Sequence, residues 1–245
     1  MDQVGTPHTT GSRARGPRLT AVVPVLDEAS GLAGMLEDLV GRPGIDEVVV
    51  VDGGSTDGST AIARAIDGVR LIEAPRSRGG QLHAGAMAAK GEILWFLHAD
   101  ATAPAGAAAW IRATLSEPGV VAGAFRTRTC LRPGQRPWFR LVLPLADLRS
   151  TVSRLPYGDQ ALFCWASAYH QCGGFPDQPV LEDVELARRL WGVGRLVVRP
   201  ERVEVSARRW SAHPWRTAAV MNTFPLLYRL GVSPRRLARW YGAPR

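Results

Sequence analysis

The sequence predicts an α/β fold: a doubly wound, mostly parallel sheet flanked by helices, with a helical C-terminal segment. Three observations carry this reading. Short apolar runs alternate with helical stretches through the first half of the chain, the pattern of parallel βαβ units whose strands are buried on both faces. Acidic patches follow three of the apolar runs, and open α/β sheets bind ligands at the carboxyl ends of their strands. The 245 residues, 46% of them hydrophobic, suffice for one large domain with a full core.

The elements follow in order. Strands are predicted over Leu19–Val25, Glu47–Val51, Val69–Ile72 and Ile93–Leu97. The helices between and after them are Ala29–Val40, Thr60–Ile66, Gly80–Lys90 and Ala105–Leu115, and Val120–Arg126 adds a strand. The rhythm then breaks. Leu131–Ser150 is rich in Pro and Arg and reads as a loop or short helix over the site. Ala161–Ala166 reads as a strand, Val184–Trp191 as a helix and Leu196–Val205 as a bent strand pair. Trp215–Leu230 is amphipathic around Pro225, and Pro234–Trp240 is a short helix. Residues 1–17 lack an apolar core and read as a disordered tail rather than a secretory signal. Residues 18–211 read as one domain, with 212–245 as C-terminal amphipathic helices packed on it.

Charge and cysteine narrow the setting. The net charge of +8 is carried by 29 Arg and one Lys, and from Leu186 onward 13 Arg face only Glu201 and Glu204. Such a basic third fits nucleic acid, an anionic membrane surface or ligand phosphates. Cys130, Cys164 and Cys172 form an odd set without CxxC, which fits a reducing cytoplasm rather than a disulfide framework. No apolar run approaches the roughly 18 residues of a membrane span.

Each polar patch has two readings. Pro24-Val25-Leu26-Asp27-Glu28 ends a strand at an acidic pair, either a ligand site or an N-cap for the next helix. The absence of GxGxxG disfavours a dinucleotide site. Asp52-Gly53-Gly54-Ser55-Thr56-Asp57-Gly58 lets backbone approach a ligand. Asp52 can accept from a base N–H or a ribose hydroxyl, and Ser55 or Asp57 can cap a helix; a plain capped turn is the alternative. Arg76-Ser77-Arg78-Gly79-Gly80-Gln81 sets two guanidinium groups beside a helix N-terminus, an anion site or a solvated loop. In His98-Ala99-Asp100, Asp100 is the strongest metal-ligand candidate, because hard divalent cations prefer carboxylate and phosphate oxygens. His98 is a second ligand or a packed histidine.

Gly158-Asp159-Gln160 can bind a sugar hydroxyl or cap a turn. Glu182-Asp183 opens a helix, where the dipole alone favours acids, and one of the two can serve as general base. Arg209-Trp210 can hold phosphate and stack on a ring, although the pair alone is weak evidence. The C-terminal Trp215, Arg216, Arg235, Arg236, Arg239 and Trp240 suit an interfacial helix, or core and dimer packing.

Taken in order, PVLDE, VVDGGSTDGS, RGGQLHAGA, LHAD, GDQ, GGFP…LED and RRW resemble the family 2 glycosyltransferases of the GT-A fold, and most closely the subgroup called selenodomain-associated transferase 2. The resemblance covers roughly Leu19 to Tyr241. It implies that Leu26–Glu28 and Asp52 bind the nucleoside of a UDP-, GDP- or dTDP-linked sugar. It also implies that His98-Ala99-Asp100 replaces a DxD-type motif, with Mg2+ or Mn2+ resting chiefly on Asp100, and that Asp183 is the base of an inverting transfer to an unknown acceptor hydroxyl. The Q-x-x-R-W motif of processive members has Ser206 in place of Gln, which disfavours a polymer synthase.

Two other classes compete with this reading. A nucleotidyltransferase needs a basic Gly-rich loop after the first strand, and LDEASG has no basic residue. A non-catalytic basic module on RNA, DNA or a membrane face would use the Arg-rich third; for the transferase reading nucleic acid is not expected, whereas peripheral contact with the cytoplasmic membrane face and a homodimer are compatible with it.

Overall fold

The computed structural model describes residues 16–130, 156–207 and 223–241. Eight strands form one sheet in the order β3-β2-β1-β4-β7-β6-β8-β5: β1 Leu19–Val25, β2 Glu47–Asp52, β3 Val69–Glu73, β4 Ile93–Phe96, β5 Ala101–Thr102, β6 Val120–Cys130, β7 Phe163–Trp165 and β8 Arg195–Ser206. β3, β2, β1 and β4 are mutually parallel. β7 is antiparallel to β4 and β6, β8 is parallel to β6, and β5 is antiparallel to β8. Every strand except β5 and β7 therefore points the same way, and the sheet is mostly parallel as expected.

The helices are α1 Ala29–Gly41, α2 Ser59–Ala65, α3 Arg78–Ala88, α4 Ala107–Leu115, α5 Ala166–Gln171 and α6 Glu182–Val193, with a helix over 223–229 and another at Pro234–Tyr241. They divide between the sheet faces because strand side chains alternate. Leu19, Ala21, Val23 and Val25 of β1 join Val48 and Val50 of β2 against Leu32, Leu36, Ala63 and Ile111 of α1, α2 and α4. The intervening Val22, Val49 and Val51 face Leu82, Ala86, Tyr169 and Leu186 of α3, α5 and α6.

The winding positions the site. The chain passes from β1 outward through β2 to β3, then α3 returns it to β4 on the other side of β1. β1 and β4 thus flank the topological switch point, where connections leave in opposite directions and a crevice opens at the carboxyl ends. Among the described residues no helix is long and apolar enough to cross a membrane.

Three expectations need correction. The strand expected over Ala161–Ala166 is only Phe163–Trp165. Ala161 turns into left-handed backbone, φ 47°, and the Ala166 N–H goes to Glu92 O at 2.8 Å as α5 begins. The expected bent strand pair over Leu196–Val205 is one strand, β8. Its register against β6 jumps from Phe125↔Arg199 to Arg126↔Arg202, because Pro200 has no N–H for the ladder and the chain bulges around it. Within α1, Ser30 and Gly31 leave helical geometry, with Gly31 at φ 101°, and the Ala29 N–H is held at 2.8 Å by Asp57 Oδ2 from another loop. The expected loop Leu131–Ser150, Arg209, Trp210, Trp215 and Arg216 lie outside the described residues.

Candidate active site

The ends of β1 and β2 are laced together by their following loops. Asp27 Oδ1 accepts from Thr56 N at 2.8 Å, while the Asp27 N–H donates to Ser55 Oγ at 3.0 Å. The Glu28 N–H donates to Ser59 Oγ at 3.0 Å. Asp57 joins the starts of two helices: it accepts from Ala29 N at 2.8 Å, and from Ser59 N at 3.0 Å and Ser59 Oγ at 2.5 Å. The Ser59 hydroxyl and then the Ala29 N–H hold its carboxyl below the usual carboxylate range. Asp57 therefore ties the first residues of α1 and α2 together without being the N-cap of either, while Asp27 reaches across to the second loop.

Asp52 is buried, and its own loop engages it. Its carboxylate accepts from Gly54 N at 2.9 Å, Ser55 N at 3.0 Å and Ser55 Oγ at 2.5 Å. A carboxylate offers about four acceptor positions, so most of its capacity is already used in shaping the Gly53–Ser55 turn. Gln81 is likewise structural. Its Nε2 donates to Val25 O and Val51 O, both at 2.9 Å, closing the ends of β1 and β2.

At the switch point the chain encloses a cavity. Pro24 of β1 and Phe96, Leu97 and His98 at the end of β4 form one wall, and Arg78 and Leu82 of α3 with Asp183 and Leu186 of α6 form another. Gly158, Leu162 and Phe175 complete the lining. The lining is mostly apolar, with Arg78, His98 and Asp183 as its polar side chains, and the space it leaves is about that of one water.

Arg78 and Asp183 meet there through a tight set of contacts. Arg78 Nε donates to Glu182 Oε1, and Arg78 Nη2 lies 3.7 Å from Asp183 Oδ2. The Glu182 side chain is 3% exposed and that of Arg78 33%. Burial opposes the charged guanidinium, but the negative charges of Glu182 and Asp183, with Asp159 adding to them, raise its pKa above the ordinary value. Gly79 makes this closeness physically accessible: a Cβ there would sit 3.1 Å from Glu182 Cγ. Of the two arginines read as an anion site or a solvated loop, Arg78 meets acidic partners from α6, while Arg76 is exposed at the turn before α3.

Asp183 Oδ2 accepts from the Gly158 N–H and its Oδ1 from Val184 N at 2.8 Å. A Cβ on Gly158 would meet Asp183 Oδ2 at 2.8 Å and His98 Nε2 at 3.2 Å. Gly158 is therefore the point where the carboxylate from α6 and the imidazole from the end of β4 converge. Gln160 fixes this turn: its Nε2 donates to Phe125 O at 2.9 Å and its Oε1 accepts from Tyr157 N at 2.9 Å.

Asp100 closes the His98–Asp100 turn between β4 and β5, where the Ala101 N–H donates to His98 O at 3.1 Å. Among the described residues no three His, Cys, Asp or Glu side chains gather as a metal cage. One carboxylate and one imidazole at this edge would need substrate phosphates and waters to complete the shell of a Mg2+ or Mn2+ ion.

The non-glycine residues with left-handed backbone among the described ones are Asp27 (φ 52°), Ala161 (φ 47°) and Leu181 (φ 61°). Each adjoins the site: after β1, after the Gly158–Gln160 turn, and immediately before Glu182. Left-handed backbone costs an L-residue roughly 1–2 kcal/mol and persists where surrounding structure imposes it. Sequence reasoning missed Leu181, Leu82 and Phe175. The GGFP segment was the one available signal for Phe175.

A doubly wound sheet with its cleft between β1 and β4 and acidic side chains at that edge is the GT-A glycosyltransferase architecture. Residues 20–175 match the family described as Glycosyl transferase family 2, and the chain belongs to that family of glycosyltransferases. Solved structures agree at the level of fold. The mannosyltransferase PcManGT from Pyrobaculum calidifontis, in complex with GDP-Man and Mn2+, shares 22% identity at TM-score 0.70, covering 93% of this chain and 68% of its own. S. aureus TarS 1-349 shares 17% identity at TM-score 0.58, covering 84% and 66%. Glucosyl-3-phosphoglycerate synthase from Mycobacterium tuberculosis, in complex with Mn2+, UDP and phosphoglyceric acid, shares 18% identity at TM-score 0.54, covering 78% and 69%. The chain thus spans about two thirds of the length of these solved proteins. No curated protein matches it.

Proposed function

We propose that the chain is an inverting, metal-assisted glycosyltransferase of the selenodomain-associated transferase 2 type, moving a sugar from a nucleoside-diphosphate sugar to an acceptor hydroxyl. The observation that carries this reading is the convergence of Arg78, His98 and Asp183 on one cavity at the β1/β4 switch point. The nucleoside lies over Leu26–Glu28 and the turn that Asp52 shapes. The sugar reaches the cavity, and the Gly158–Gln160 turn faces the acceptor.

Asp183 takes the proton from the acceptor hydroxyl as its oxygen attacks the anomeric carbon in line. The bond to the diphosphate breaks, and its electron pair leaves with the diphosphate oxygen. Arg78, held by Glu182 through Nε with its Nη2 beside Asp183, offers its positive charge to the departing diphosphate. Asp100, with His98, would hold a divalent ion, which when bound supplies positive charge against the diphosphate. Positioned base catalysis contributes on the order of 10²–10⁴-fold.

The test is transfer or hydrolysis with UDP-, GDP- and dTDP-linked sugars in the presence of Mg2+ or Mn2+. Turnover of at least one donor is expected. Neither turnover nor nucleotide binding with any donor would remove the assignment.

A further inference from the structure

Large exposed hydrophobic side chains concentrate near the C-terminus. Leu226 is 58% exposed, Leu230 73% and Trp240 59%. The other exposed large hydrophobics among the described residues, Val40, Met87 and Trp191, stand singly on separate helices, as is normal for soluble surfaces. Leu226 and Leu230 are one turn apart on the helix over 223–229 and the turn that ends it, and therefore share a face. On the helix Pro234–Tyr241, Leu237 is fully buried, which turns Arg235 and Arg239 to the opposite side, while Trp240, one turn on from Leu237, borders the buried edge. Arg235, Arg236, Arg239 and Trp240 are the exposed residues of that helix.

Charge decides the occupant. Arg229 is exposed beside Leu230, and no acidic residue follows Glu204 anywhere in the sequence. Exposed leucines and a tryptophan in a segment that carries arginines and no carboxylate of its own complement an anionic bilayer. The apolar groups enter the acyl boundary, the indole sits at the headgroup level, and the guanidinium groups meet lipid phosphates. A surface that recognised nucleic acid would be expected to interleave its arginines along a groove, without paired leucines on one face.

We propose that this C-terminal surface docks the protein on anionic lipid. The surface is tied to the site. Tyr228 OH donates to Glu185 Oε2 at 2.9 Å, and Glu185 lies in the first turn of α6, the helix that presents Asp183. Docking therefore holds the cavity at a fixed position relative to the bilayer, where it meets acceptors carried by lipid.

The experiment is co-sedimentation of the full chain with vesicles of phosphatidylcholine alone and of phosphatidylcholine with phosphatidylglycerol, at about 0.15 M salt. Binding is expected to the mixed vesicles only. Each arginine near an anionic surface is worth roughly five-fold in partitioning, so Arg235→Gln with Arg239→Gln should weaken it about 25-fold. Leu226→Ser with Leu230→Ser should remove the part of the binding that survives raised salt. All four positions are exposed, so unchanged thermal melts are expected for both variants. Equal partitioning to neutral vesicles, or no partitioning, overturns the proposal. So does binding of RNA or duplex DNA without vesicle binding, or a dimer in light scattering that the leucine variant dissolves while vesicles are ignored. Nucleotide-sugar turnover measured on the same samples reports separately on the catalytic reading.

Discussion

Replacing Glu182 by Gln keeps the shape of the side chain and an acceptor for Arg78 Nε but removes the charge. Breaking a buried ion pair by removing one partner costs about 3–5 kcal/mol. Here Arg78 is one-third exposed, and Asp183 stands 3.7 Å from its Nη2, so solvent and the second carboxylate recover part of that cost. The expected net destabilisation is about 1–2 kcal/mol, which for a chain of this size lowers Tm by about 2–8 °C. The consequence for catalysis is more specific. With Glu182 neutral, the guanidinium swings toward Asp183, whose Oδ2 already lies 3.7 Å from its Nη2, and opposes proton uptake there. kcat should fall more than the acceptor KM changes. Differential scanning fluorimetry and steady-state transfer measure both effects. A paired replacement, Arg78→Met with Glu182→Leu, should recover stability without recovering transfer, because well-packed apolar groups can replace a buried ion pair. A Tm shift below about 1 °C with unchanged kcat in Glu182→Gln would refute the view that this pair organises the site.

Three further outcomes are expected. Asp183→Asn should abolish transfer while nucleotide binding, followed by calorimetry, persists; loss of binding would contradict its assignment as base. Asp100→Ala should weaken nucleotide affinity in the presence of Mn2+ and leave metal-free affinity unaltered, whereas equal affinities with and without the ion in both proteins would remove its metal role. The carboxyl of Glu185 is held at about 2, below the ordinary 4.5, first by the hydrogen bond from Arg188, against burial, and then by Arg189 and Tyr228. A depressed folded-state value gives stability that is complete above pH 4.5 and lost as pH falls toward 2. After discounting for the exposed Arg188, this is on the order of 1–2 kcal/mol. Glu185→Gln should therefore lower Tm at pH 7 by a few degrees and flatten its decline below pH 4.5; parallel Tm profiles for the two proteins would contradict this.

The elements legible in the sequence are those whose determinants are local. β1, β2 and β4 are continuous apolar runs buried on both faces, so their existence and parallel pairing follow from composition and rhythm. The edge that carries the candidate site was legible for the same reason, since Asp27, Asp52, His98 and Asp100 stand at the ends of parallel strands. What escaped depends on contacts distant in sequence. Arg78 and Glu182 are 104 residues apart, so the acidic partner of an arginine expected to bind phosphate could not be read from its neighbourhood. The glutamines Gln81 and Gln160 were assigned to ligands because they sit in ligand-like turns; their partners, Val25, Val51 and Phe125, are backbone carbonyls that only the assembled sheet supplies. The short β7 was overextended because its length is set by β4, its neighbour, rather than by its own apolar run.

The three left-handed corners at Asp27, Ala161 and Leu181 make the cavity the most demanding part of the molecule to assemble. None is a glycine, so each would relax toward ordinary backbone once its supports loosen. The sheet needs no such coercion. Heating should therefore silence the enzyme several degrees before its secondary structure melts, and a stabiliser acting on the sheet alone would leave that earlier inactivation where it was.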